Sequence, residues 1–115
     1  MDIKLFHSNN MEINKLTNKI LKLAEEKGWV TDKDKINVAE KIALIHTEIA
    51  EAYEAYRKKQ IDGRHGFKEE LADALIRILH LCGVFEVDVE KEIVNKIKIN
   101  KDRDWDWEQI NEDHS

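Results

Sequence analysis

No proline occurs in the chain, and apolar side chains return at alternating steps of three and four residues through most of its length. That period lays side chains along one stripe of an α-helix, and without proline nothing in the backbone interrupts it. The clearest case runs from Phe67 to about Val84, where Leu71, Leu75, Ile78 and Cys82 form one stripe with Ala72, Ile76 and Leu79 beside it. At about 100° per residue these positions cover well over half of the circumference, so this helix belongs at the centre of the fold.

Three further segments share the pattern. Between Met11 and Lys27, Ile13, Leu16, Ile20, Leu23 and Ala24 recur at helical spacing, with Asn9 and Glu12 placed as in a capping box and Gly28 as a stop. The next helix is expected to start between Thr31 and Asp34 and to reach about Lys59, carrying Val38, Ile42, Ile45, Ile49, Ala52 and Tyr56. Gln60 to Gly66, with Asp62 and Gly63, has turn chemistry. Asp88 is placed to cap a last helix whose first turns carry Glu90 and Glu92, with Val89, Ile93 and Ile97 facing inward. The expectation is an all-α, four-helix bundle-like single domain, its core at about residues 11–103 and a loosely held polar tail at 104–115, broken only by Trp105, Trp107 and Ile110.

With 115 residues there is enough chain for one hydrophobic core, hence for one site. A net charge of −5 repels duplex DNA or RNA, while a small phosphorylated ligand bridged by cations is compatible with it. Cys82 is the single cysteine and lies in an apolar run, which makes it a packed thiol of a reducing, cytoplasmic compartment. No stretch of 18 apolar residues and no signal-peptide pattern is present, so the expectation is a soluble protein without a membrane partner.

The chemistry-bearing residues are acidic. Glu48 and Glu51 are three residues apart on the second helix, flanking its apolar stripe, and Glu70 and Asp73 have the same spacing on the third. If these helices pack antiparallel across the short loop, the two pairs face each other. Ionised carboxylates a few ångström apart repel by roughly 3–4 kcal/mol per close pair at an effective dielectric of 20, and a bound cation removes that cost. Hard oxygen donors without thiolate favour Mg²⁺ or Mn²⁺ over zinc, and no glutamate has a histidine three residues later, as di-iron bundles require. Against this, acidic pairs at such spacing arise often by chance among 24 Asp and Glu residues and usually lie on solvated faces. Glu54, with Lys58 four residues on, is one of these surface acids. His46, at the apolar edge of its helix, is expected to be a packing residue and not a ligand.

The run KIALIHTEIAEAYEAYRKK, followed after a loop by GFKEELADALIRILHLCGVFEVDVEKEIVNKIKINKDR, resembles the MazG-like group of all-α nucleoside triphosphate pyrophosphohydrolases. The likeness spans roughly Gly28 to Trp105 and rests on Glu-x-x-Glu, a spacer, Glu-x-x-Asp, and a Lys-x-x-x-Asn-Lys-x-Arg segment. It implies that Glu48, Glu51, Glu70 and Asp73 coordinate Mg²⁺, as metal and catalytic residues, and that Lys96, Asn100, Lys101 and Arg103 bind phosphate. Lys96, Asn100 and Arg103 do share one helical face, though a basic helix C-terminus is also what the macrodipole favours. Trp29 matches an aromatic residue suited to stacking on a base, or else caps the core at a helix junction. Arg77 either touches phosphate, screens the acids or pairs with Glu70 or Asp73. After Arg103 the chain departs from the family pattern, with Asp104-Trp105-Asp106 in place of a proline, an aromatic residue and a basic tail.

The implied activity is hydrolysis of NTP or dNTP to the monophosphate and pyrophosphate, by a water that the metal orients and one carboxylate deprotonates, in a homodimer or homotetramer. Two alternatives stand beside it: a catalytically silent helical interaction module, and a phosphoribosyl-ATP pyrophosphohydrolase-like enzyme.

Overall fold

The computed structural model describes residues 12–103, and the expected polar tail at 104–115 and Asn9 lie outside them. Four helices and no strand are found among the described residues: α1 Ile13–Glu26, α2 Val38–Arg57, α3 Phe67–Val84 and α4 Val89–Asp102. No helix among them is long and apolar enough to cross a membrane.

The helix ends follow local chemistry, and at two of them the structure corrects the sequence reading. Glu12 is itself the N-cap of α1 and makes no side-chain cap bond, so it does not play the capping-box role assigned to it. The N-terminal N–H of Asn14 instead donates to Glu90 of α4 at 3.3 Å, while the Asn14 amide donates to Asp88 at 2.8 Å and accepts from the Glu90 N–H at 3.2 Å. Orphan donors at one helix start are thereby met from another helix. In α2 the start is Val38, later than the Thr31–Asp34 expected, because the Asp32 carboxylate takes the Asp34 N–H at 2.9 Å and holds a turn there. Asn37 then caps α2 by accepting from the Glu40 N–H at 3.1 Å. Asp88 caps α4 as expected, accepting from the Lys91 N–H at 3.2 Å.

Chain reversal after α1 uses Gly28 at φ 79°, with the Trp29 N–H returning to the Ala24 carbonyl at 2.8 Å. The same six-to-one closure ends α2, where Lys59 takes the left-handed position at φ 60° and Gln60 N–H reaches Ala55 at 2.9 Å. The Gln60–Gly66 turn is then tied to the start of α3 by Phe67 N–H to Gln60 (2.8 Å) and Lys68 N–H to Ile61 (3.1 Å). A Cβ on Gly66 would lie 2.6 Å from the Asp62 carbonyl oxygen, so the turn closes only around glycine at that position.

The α2–α3 pair is the most extensive packing, α1 lies across α3, and α4 rests on α1. Tyr56 stacks near Phe67 at 5.5 Å and Glu48 reaches Arg77, so the chain positions in contact descend along α2 as they ascend along α3. That is an antiparallel hairpin. The core gathers Ile20, Leu79 and Val89, with Ile13, Leu16 and Cys82 packed against it. The third helix is central, as its wide apolar arc requires, but α1 and α2 leave part of that arc uncovered. Ala74 and Leu79 are buried, whereas Leu71, Leu75 and Ile78, expected in the core, are 37–49% exposed. Ile42, Ile49 and Tyr56 on α2, and Ile93 and Ile97 on α4, also face outward against expectation. The four described helices do not cover every apolar stripe they carry.

Gly66→Ala is expected to destabilise the protein by about 1–3 kcal/mol, the usual cost of overpacking against backbone that cannot yield. Urea unfolding would measure it as a lower midpoint at unchanged slope, and an unchanged midpoint would contradict the close approach described.

Candidate functional site

Antiparallel pairing brings the second turn pair of α2 opposite the first turn of α3. Glu48 and Glu51 project from α2, Glu70 from α3, and one carboxylate oxygen from each lies within 4.8 Å of the other two. Glu70 is 4% exposed, Glu48 half-buried and Glu51 exposed, so the cluster runs from the helix interface to solvent. Asp73, one turn further along α3, is half-buried and is not among the three converging groups.

Each acid meets its electrostatic cost differently. Glu48 Oε1 accepts from Arg77 Nε at 3.1 Å in an ion pair whose side chains are 13% and 29% exposed. Arg77 thus pairs with Glu48, not with Glu70 or Asp73, because the helix above Glu70 places it opposite the earlier turn of α2. Glu70 has His65 Nδ1 3.6 Å from its Oε1, while its Oε2 is buried without a hydrogen-bond partner. Burial, and then the neighbouring carboxylates of Glu51 and Glu48, push the Glu70 carboxyl above the ordinary 4.5. An orphaned buried oxygen next to two more carboxylates is the arrangement a hard cation satisfies, and an all-oxygen donor set fits Mg²⁺ or Mn²⁺.

A second cluster adjoins the first. The Arg77 guanidinium lies 5.8 Å from the centre of the Trp29 ring, and Trp29 meets His80 edge-on at 5.4 Å. His80 is buried, with Nε2 3.1 Å from the Val30 carbonyl. A carbonyl only accepts, so Nε2 carries the hydrogen, and burial lowers the imidazole below its ordinary 6.5. Trp29 is therefore braced from behind by α3 yet 41% exposed, and it lines an apolar cavity of about 420 Å³ with Ile20, Leu23, Ala24, Lys27 and Ile76.

The four residues assigned to phosphate are all on or just after α4, which packs on α1. Lys96, Lys101 and Arg103 are exposed, and Asn100 is half-buried. Sequence reasoning did not single out His65 or His80. His65 sits on a loop, outside any helical period, and only the left-handed turn at φ 61° carries it toward Glu70. His80 could have been noticed as a polar residue inside the apolar arc of α3. His46 is exposed and not a packing residue. Glu54 is a surface acid as expected, bridged to Lys58 at 3.4 Å and Arg57 at 3.5 Å.

What the fold and the site define is a protein that is all-helical over its described residues, with a cluster of three carboxylates placed so that they could hold a metal ion. Comparison with family models, with curated proteins and with solved structures found no match.

Because the folded state favours protonated Glu70, its contribution to stability is present below the ordinary 4.5 and is lost as pH rises through the raised value. Glu70→Gln, whose amide can donate to its acidic neighbours, is expected to raise the Tm of the metal-free protein at pH 7 and to flatten its decline as pH rises above the ordinary 4.5. The scale is about 4–8 °C per kcal/mol recovered in a domain of this size. A lower Tm for the variant at pH 7 without divalent cations would refute this account of the cluster.

Proposed function

We propose that this protein is a Mg²⁺-dependent nucleoside triphosphate pyrophosphohydrolase of the MazG-like kind, converting NTP or dNTP and water to the monophosphate and pyrophosphate. The single observation that carries the reading is the convergence of Glu48, Glu51 and Glu70 around a buried, unpartnered carboxylate oxygen. The family-like motif through Asp73 and the Lys96–Arg103 segment supports it.

Glu48, Glu51 and Glu70 would hold the cation, with Asp73 as a further carboxylate on the same helix as Glu70. When bound, Mg²⁺ or Mn²⁺ supplies the positive charge that neutralises the triphosphate and activates water. The chain's own residues do the rest. A carboxylate of the cluster takes the proton of the attacking water as its oxygen bonds to the α-phosphorus, and the bond from that phosphorus to the bridging oxygen breaks, releasing pyrophosphate. Trp29, braced by His80, presents a ring for stacking on the base, and Lys96, Asn100, Lys101 and Arg103 supply donors to phosphate. Arg77 holds Glu48 in place.

The exposed apolar stripes of α2, α3 and α4 support a homodimer or homotetramer in which a second copy covers them. Such an assembly would also give α4 a route to a neighbouring site that its packing on α1 does not provide within the chain. The compartment in this reading is the cytoplasm.

The test is pyrophosphate release from a panel of NTPs and dNTPs with Mg²⁺. At least one substrate is expected to be turned over, with kcat lowered about 10²-fold or more in Glu48→Gln, Glu51→Gln and Asp73→Asn. No release from any nucleotide would favour a catalytically silent interaction module instead. Light scattering at micromolar concentration is expected to give at least a dimer, and a monomer would contradict the assembly.

A further inference from the structure

The cation proposed above leaves most of a triphosphate's charge unanswered on this side of the molecule, since the basic segment of α4 is packed on α1. The carboxylates themselves open into a different place. A pocket of about 390 Å³ lies at the α2–α3 turn, lined by Glu51, Ala55 and Glu70 together with Lys58, Gln60, His65 and Glu54. Here the buried, unpartnered Oε2 belongs to one of the lining residues, and three side chains with N–H donors stand around it.

We propose that this turn is a diphosphate subsite, in which Lys58, Gln60 and His65 grip the anionic oxygens of the pyrophosphate portion while its inner face meets the cation held by Glu51 and Glu70. The donor set is the reason. An ammonium, an amide and an imidazole on one rim, beside a carboxylate cluster suited to a cation, match a group that is both anionic and cation-bridged. The turn is also preorganised. Backbone hydrogen bonds from Gln60 back to Ala55, and from Phe67 and Lys68 back to Gln60 and Ile61, fix both ends of it. His65 is held at φ 61° between Arg64 and a Gly66 that has no room for a Cβ, which sets its Nδ1 3.6 Å from Glu70. Lys58 is engaged with Glu54 at 3.4 Å, but both side chains are more than half exposed. Such pairs contribute little and exchange readily, so the ammonium is available to a more highly charged partner.

This inference rests on the cation reading of the cluster, and the experiment separates the two. The full-length protein would be titrated by calorimetry first with MgCl₂ and then, at saturating Mg²⁺, with imidodiphosphate, a non-hydrolysable diphosphate. Three variants accompany it: Lys58→Ala with His65→Asn as a double variant, Lys58→Arg, and Lys22→Ala on α1 as a control for loss of one charge. Asn tolerates the left-handed position, so the turn is retained, and thermal unfolding checks that it is.

The expected result is Mg²⁺ affinity within about twofold of the parent in every variant, with imidodiphosphate affinity reduced about tenfold or more only in the double variant, as loss of charge-assisted hydrogen bonds requires. Lys58→Arg is expected to stay within about threefold, since it keeps the charge. Mg²⁺ uptake with no loss of imidodiphosphate affinity in the double variant, or an equal loss in Lys22→Ala, overturns the subsite and leaves the cation reading standing. Absence of Mg²⁺ uptake by the parent overturns both.

Discussion

A glutamate buried between two others sets the terms for the α2–α3 hairpin. At 4.8 Å, two ionised carboxylates repel by about 3–4 kcal/mol at an effective dielectric of 20, a large share of what a domain of this size has to spare. An apolar residue at Glu70 would relieve the repulsion and complete the helix interface. The chain instead keeps a carboxyl there, answers Glu48 with Arg77, leaves Glu51 toward solvent and, through burial, pushes the Glu70 carboxyl above its ordinary range. Retaining a destabilising group at a packed interface is what the cation proposed for this cluster would account for.

Much of the surrounding structure serves that geometry. The turn at 60–66 is locked by backbone hydrogen bonds at both ends, so the first turn of α3 cannot slide relative to α2, and a shift of one residue would rotate Glu70 by about 100° away from Glu51. Arg77 joins the acids to the Trp29–His80 contact, which ties the loop leaving α1 to the same face of α3. Charge at Glu48 and the position of an exposed aromatic ring are therefore coupled through one guanidinium, whose planar fork can pair with a carboxylate at its edge while its face lies over an indole. Cations and aromatic ligands that reach this face would meet a set of groups already connected.

The helical layout was readable because period and punctuation agree: α3 runs over the residues its apolar arc indicates, and Asp88 caps α4 where an Asp before a helix should. Local competition accounts for the misplaced starts. Asp32 offers the backbone an alternative to helix, and Glu90, distant in sequence, meets a donor at the start of α1 where Glu12 makes no cap bond. Glu48, Glu51 and Glu70 were legible from three-residue spacing plus an antiparallel hairpin. His65 was not, since a left-handed turn residue has no periodic signature and its approach to Glu70 depends on a glycine that admits no side chain. Nor does periodicity say which apolar stripe is covered: Leu71 and Leu75 obey the same rule as Leu79, and only the number of available helices decides between them.

Among the described residues the carboxylates share their helices with uncovered apolar surface. The stripes left open on α2 and α3 are on the two helices that carry the carboxylates, and the exposed apolar residues of α4 accompany its basic segment. If water is to be excluded from the cluster, the surface that does so must come from outside the four helices, because α1 packs on α3 and α4 on α1, and neither contributes a residue to the cluster. Covering the stripes would lower the local dielectric around Glu48 and Glu51, strengthening both their mutual repulsion and their attraction for a cation, with the second gaining more because the ion carries two charges. Assembly and cation binding would then favour one another through the same buried surface, a coupling in which neither a bare cluster nor an unpartnered helix face represents the working state.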